Sequence, residues 1–254
     1  MIRFLSNNLI EGALITPSTE NLQFPATNIQ HDFRTKVFRS TTNSDSVVFD
    51  IGSTEPVDYF GIVDNWQSGF GVSTITLEAN STDEWSSPAF SLAVTFDTAF
   101  GVGITSFAEQ NYRFWRVVMT STLGYCELAN IFIGKAVNID TNGISYNWAY
   151  ANKDNMKKAT TRYGQEFIDD VNQRKELTGL KIRVMNTTEL DSFFEVYDNR
   201  RTVSPMFIEF CDPSSTISNN NNRFNGMYKF TSTPKTPNFS AGFWNTSFSL
   251  KEQK

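Results

Sequence analysis

The stretch Tyr112–Lys135, YRFWRVVMTSTLGYCELANIFIGK, decides how the rest of the chain is read. Tyr112 to Met119 carries aromatic and β-branched residues with arginines between them. Ser121-Thr122-Leu123-Gly124 then supplies turn chemistry, and Leu128 to Ile133 is apolar again. This is the pattern of the last two strands of a domain. Residues 136–143, AVNIDTNG, have the polar, Gly-containing character of a connection, and a new set of strands begins beyond them.

A chain of 254 residues exceeds the common single-domain size. The expectation is two domains, 1–137 and 138–254, with one large β domain as the alternative. Aromatic residues are 14% of the chain and phenylalanine alone contributes 23, which favours β structure over helical bundles. The fold class expected is all-β with one flanking helix. The net charge of -5 is unevenly shared. Residues 1–135 hold 7 Lys+Arg against 14 Asp+Glu and residues 136–254 hold 15 against 13, together the 22 and 27 of the whole chain. An acidic first half repels phosphate backbones, so sequence-specific nucleic-acid binding is not expected.

Cys126 and Cys211 fall in different halves without a second cysteine nearby, so buried free thiols are favoured over a disulfide. The start, MIRFLSNNLIEGA, lacks a signal-peptide core and cleavage site, and no segment is long enough to span a membrane. Synthesis and folding in a reducing host cytoplasm, with no membrane insertion, is the corresponding expectation.

In the first half, residues 21–42 mix Pro, Asn and Asp with isolated aromatics and read as an irregular loop. Val47–Gly52 and Tyr59–Val63 read as two short strands. Ile75, Leu77 and Ala79 alternate with Thr76, Glu78 and Asn80, and Leu92, Val94 and Phe96 repeat the pattern. Six or more short strands without intervening helices predict a sandwich or jelly roll.

In the second half, Ile144, Tyr146, Trp148 and Tyr150 share one strand face. The polar run 154–179 reads as a long exposed hairpin arm or a loop, because its apolar content is too low for a core. Leu180, Ile182 and Val184 alternate with Lys181, Arg183 and Met185. A helix follows, with Asn186 and Glu189 spaced as a capping box and Leu190, Phe193, Phe194 and Tyr197 forming its apolar stripe. MFIEF, GMYKF and FWNTSFSLKE read as the closing strands.

The segments PATNIQHDFRTKVFRS, VVFDIGSTEPVDYFGIVDNW, STITLEANSTDEW, YRFWRVVM and ELANIFIG occur in the order seen in discoidin-like (galactose-binding-like) jelly-roll domains, which residues 20–135 resemble. Phe38 stands where many relatives have Trp. The order strand, helix, strand, loop, strand, strand over residues 140–254 resembles the tail-tube fold of long-tailed bacteriophages. Together these resemblances imply an N-terminal jelly-roll sandwich followed by a tail-tube-like β-sandwich or barrel. They imply a structural protein of the siphophage-like distal tail or tail tip, located in the virion. Its C-terminal domain would assemble into a ring homo-oligomer alongside other tail proteins, with the jelly roll turned outward. The alternative is a carbohydrate-binding module or adhesin that recognises a bacterial surface glycan.

A jelly roll of this kind binds ligands at the loops of one end, which makes Arg34, Arg39, Trp66 and Trp85 the candidate ligand or partner residues. Trp66 and Trp85 can equally close the core beneath strand ends. Lys157, Lys158 and Arg162, with Arg116 on a strand that is apolar on both faces, are the candidate subunit contacts; a solvated charged face is the plainer alternative.

No catalytic role is expected. His31 is the one histidine, and although Asp32, Ser6 and Ser40 are available to it, no nucleophile elbow accompanies them. Asp169-Asp170, Asp83-Glu84 and Glu189/Asp191 are acid pairs with no sign of a shared sugar between them. No Asp-rich loop marks a calcium site, and no metal or cofactor is expected.

Overall fold

A computed structural model describes residues 2–65, 68–139, 148–160, 166–210, 224–240 and 242–253, with the backbone alone described at 153–160, 166–173, 183–184 and 239. Up to residue 139 the strands are β1 (Ile2–Leu5), β2 (Leu14–Pro17), β3 (Phe38–Arg39), β4 (Ser44–Val63), β5 (Thr74–Asn80), β6 (Phe90–Val94), β7 (Phe96–Asp97), β8 (Val102–Thr120), β9 (Glu127–Leu128), β10 (Ile131–Gly134) and β11 (Val137–Ile139). Beyond it come β12 (Ala149–Thr160), β13 (Glu166–Met185), helix α1 (Thr187–Arg200), β14 (Met206–Phe210), β15 (Gly226–Phe230), β16 (Asn238–Ser240) and β17 (Phe243–Glu252). The architecture is all-β with one helix. It divides into two compact units, Met1–Asn138 with Met206–Met227, and Ile139–Pro205 with Tyr228–Lys254.

The main sheet of the first unit is antiparallel in the order β10-β4-β8-β5-β6, with β2 added to β4 and β7 to β8. The two strands expected over 47–52 and 59–63 are one 20-residue strand. Its pairing with β8 shifts register between Asp50 and Glu55 and again between Val57 and Tyr59. Gly52, at φ 81, sits at the first irregularity, where a left-handed backbone is needed and only glycine adopts it without strain. The irregularities split the long ladder into two segments.

Residues of both segments, among them Phe49, Leu77, Trp115 and Val117 from one and Phe60, Ile62, Ile131 and Ile133 from the other, form one buried cluster. That convergence is the packing of a two-layer jelly roll. Trp115 is fully buried against Phe90, Phe107 and Tyr112 at ring separations of 6.0, 6.2 and 6.4 Å. Trp115, Val117 and Met119 make the dry face of β8. Phe114, Arg116 and Val118 on the opposite face are half-buried, so that side is less covered than the apolar sequence implies.

Strand β14 belongs to the first unit. β1 pairs with β14 in antiparallel register, Ile2 opposite Phe210 and Leu5 opposite Phe207. Phe207 packs on Tyr59 and Phe132, at ring separations of 6.4 and 5.4 Å, in a second buried cluster with Leu5, Val63 and Val102. Gly61 makes room for it: a Cβ there would lie 3.2 Å from the Phe207 ring. Arg3 and Tyr59 both donate to one oxygen of Glu209, at 3.1 and 2.8 Å.

In the second unit residues 154–160 and 166–179 of the polar run lie in two paired antiparallel strands, the hairpin arm of the two alternatives expected. β12 pairs with β13 from Ala149 opposite Thr178 to Thr160 opposite Glu166, β13 pairs with β17, and β17 with β15. Helix α1 begins with the capping box expected: Asn186 Oδ1 accepts from Glu189 N at 2.9 Å and Glu189 Oε2 accepts from Asn186 N at 3.0 Å. Its buried stripe is Leu190, Phe193, Val196 and Arg200. Phe194 and Tyr197 flank that stripe and are half-buried, so the dry face is rotated from the one expected. Phe193 is 5.4 Å from Phe248 and 6.1 Å from Phe230, ring to ring, which seats the helix on the sheet.

Candidate functional site

One expected ligand residue, Arg39, is the centre of a built cluster in the first unit. The β3–β9 ladder places it directly opposite Glu127. Arg39 Nε and Nη2 both donate to Glu127 Oε2, at 3.1 and 2.5 Å. The guanidinium lies between two rings, 4.2 Å from the centroid of Phe24 and 4.3 Å from that of Tyr125. The other carboxylate oxygen accepts from Asn65 Nδ2 at 2.9 Å and Ser68 Oγ at 2.8 Å.

Backbone bonds join the segments: Arg39 N donates to Phe24 O at 3.0 Å, Asn21 N to Arg39 O at 2.8 Å, and Glu127 N to Gly71 O at 3.2 Å. Loops around 21–24, 65–71 and 125–127 therefore meet at β3. The Glu127 side chain is 2% exposed and that of Arg39 27%. A carboxylate so buried is tolerable because charged and neutral donors satisfy both its oxygens. Cation–π contact with both rings holds the guanidinium, and Phe24 and Tyr125 are half-buried at the surface. The result is a rigid, net-neutral group of polar atoms between aromatic rings.

The other expected residues are placed differently. Arg34 is 5% exposed; its Nη2 bonds Asp64 Oδ1 and its Nε donates to Asp64 O at 3.1 Å. It holds Asp64, beside Asn65, after the end of β4. Trp85 lies over Arg116, whose Cζ is 4.5 Å from the ring, and donates Nε1–H to Asp83 Oδ1 at 2.6 Å. Arg116 in turn donates twice to Glu78 Oε2, at 2.8 and 2.5 Å, across the β5–β8 ladder. Both therefore belong to the half-covered sheet face, and the Arg116 charge is matched within the chain.

Trp66 and Arg162 lie outside the described residues, although Asn65 and Ser68 beside Trp66 are part of the cluster. Lys157 and Lys158 lie on β12 opposite Asp169 and Ile168. Phe24, Tyr125, Glu127, Asn65 and Ser68 were not singled out by sequence. The one available signal was Glu127 itself, a charge inside the apolar run from Cys126 to Ile133.

His31 is exposed, and its carbonyl oxygen accepts from Asn130 Nδ2. Glu189 is engaged in the helix cap. Burial pushes the Cys126 thiol up, partly offset by a hydrogen bond from Ser40. Among the described residues no group of three or more His, Cys, Asp or Glu could hold a metal ion, and no helix is long and apolar enough to cross a membrane.

No family model matches the sequence, and no curated protein matches it. Solved structures that are similar include the family 32 carbohydrate-binding module of Clostridium perfringens NanJ in complex with galactose, with 11% identity, a TM-score of 0.43, and coverage of 52% of this chain and 98% of that one. Chitosan-binding module 1 from a chitosanase/glucanase of Paenibacillus sp. IK-5 has 19% identity, a TM-score of 0.41 and coverage of 51% and 99%. A Streptococcus pneumoniae fucose-binding module has 9% identity, a TM-score of 0.44 and coverage of 51% and 98%. These neighbours are carbohydrate-binding modules rather than catalytic domains.

Proposed function

We propose that the first unit is a non-catalytic glycan-binding module that takes a neutral sugar at the loops around Arg39. The observation that carries the reading is the Phe24–Arg39–Tyr125 sandwich backed by Glu127. A sugar presents apolar C–H faces and a ring of hydroxyls, which call for aromatic surface beside fixed donors and acceptors. The cluster offers both. Because Glu127 already neutralises Arg39, an anionic ligand would have to compete with a buried carboxylate, whereas a neutral one meets dipoles held in place. Sugar binding is what the similar solved structures are named for, but the reading rests on the residues of this chain.

A nuclear magnetic resonance titration of the whole chain with galactose, fucose and chitosan oligomers tests it. Saturable shifts at Phe24, Arg39 and Tyr125 support the site; the absence of saturable shifts there with all three contradicts it.

A second reading concerns assembly, as a ring-forming component of a bacteriophage tail tip that displays the first unit outward. The feature that favours it is β12, a 12-residue strand at the end of its sheet, paired only with β13 among the described residues. A strand edge of that length is normally covered, and a second copy of the chain is the cover this reading supplies. Sedimentation velocity checks it: a discrete ring supports it, and a monomer at all concentrations removes it.

A further inference from the structure

The polar face of the second unit carries an unbalanced row of charge. The β15–β17 register sets Lys229 directly opposite Lys251, and the β13–β17 register sets Glu176 opposite Lys251 on its other side. Lys251 Nζ is 3.7 Å from Glu176 Oε1. Lys229 forms no ion pair among the described residues. Like charges directly opposite on neighbouring strands repel, so the row lacks one negative charge.

The same residues line an open cavity of about 620 Å³, whose wall also carries Thr178, Ser249 and Thr231, the last with its hydroxyl already donated to Ser249 O at 3.3 Å. The wall is tied together locally. Thr231 N donates to Ser249 O at 3.0 Å, and Gly179 N donates to Ser249 Oγ at 3.4 Å. Lys229, Lys251 and Ser249 are half-buried, so the two ammonium stems are held by the sheet while the cavity stays open.

We propose that this cavity is a binding site for a single anionic group, a carboxylate or a phosphate, seated between Lys229 and Lys251 with the hydroxyls of Thr178 and Ser249 completing its hydrogen bonds. Two ammonium groups against one carboxylate leave one positive charge for a ligand to match, and lysine serves as a point-charge donor to either kind of anion. Glu176 limits the site to one such group by holding Lys251 from the other side. The inference concerns the second unit alone and stands apart from the sugar reading of the first.

The test is calorimetric titration of the whole chain with inorganic phosphate and, separately, acetate, at ionic strength fixed with sodium chloride. Saturable binding of one or both is expected, and which anion binds identifies the source. Lys229→Gln should weaken it by at least about tenfold, the loss of one charge-assisted hydrogen bond. The same variant should melt no lower than the wild type without ligand, because a repulsion is removed. Glu176→Gln should tighten binding by releasing Lys251. Absence of saturable binding by both anions, equal binding in Lys229→Gln, or weaker binding in a folded Glu176→Gln overturns the proposal. If Glu176→Gln does not fold, the Lys229→Gln comparison decides.

Discussion

Gly71 and Glu127 approach so closely that a Cβ at position 71 would lie 2.4 Å from the Glu127 Cβ. The two residues form an isolated antiparallel bridge, and this contact brings the 65–71 segment over β9. Asn65 and Ser68 reach the buried carboxylate from that segment. Gly71→Ala is therefore expected to push the segment off and to destabilise the chain by about 1–3 kcal/mol, the usual cost of overpacking. Urea denaturation measures the loss, and sugar affinity should fall with it.

The Arg39–Glu127 pair should behave as a coupled unit. Removing Glu127 leaves the donors of Arg39, Asn65 and Ser68 without their acceptor, at a cost of about 3 kcal/mol in Glu127→Ala. Arg39→Ala alone leaves a buried carboxylate with fewer donors. A double-mutant cycle over the two positions is expected to return a coupling of about 1–3 kcal/mol, and additive losses would show that the contact is energetically idle.

Phe207→Ala should cost about 3–5 kcal/mol, because the ring fills the space above Gly61 between Tyr59 and Phe132. Thermal unfolding followed at the tyrosine signal checks it. An effect of that size would place β14 in the stability of the first unit.

That segment also shows where sequence reading stops. β5 and β8 were legible because a strand with one dry face repeats every two residues, and α1 because its cap spacing is local. The β1–β14 ladder was not, since Arg3 and Glu209 are 206 residues apart and each strand is short. The first-unit cluster was half legible. Arg39 stands out as a charged residue after an aromatic one, but β3 and β9 are two residues each and show no period that would pair Arg39 with Glu127. Trp85 and Arg116 were recognisable as interaction-prone types, yet the sheet face they share depends on the β5–β8 register.

Two titrations have definite signs. Hydrogen bonds from Arg113 hold the Asp50 carboxyl below its ordinary value of 3.8. A depressed folded value gives stability that is present above the unfolded value and lost as pH falls through the folded one. Asp50→Asn should consequently flatten the acid limb of the stability curve, by a small amount because the pair is solvent-screened. For Cys126 the folded value is raised above 9.0, chiefly by burial. Its contribution is complete below that pH and is lost as pH rises through the folded value, so the thiol should resist alkylation at pH 8 until the chain unfolds, as timed labelling with iodoacetamide would show.

On the sugar-binding proposal, the aromatic rings around Arg39 hold a neutral sugar. The most direct measurement is a glycan array probed with the whole chain, with Phe24→Ala and with Tyr125→Ala, each first shown to be folded by its melting curve. The wild type should bind a defined set of neutral glycans and both variants should lose them. No binding by the wild type, or the same binding by both folded variants, would contradict it.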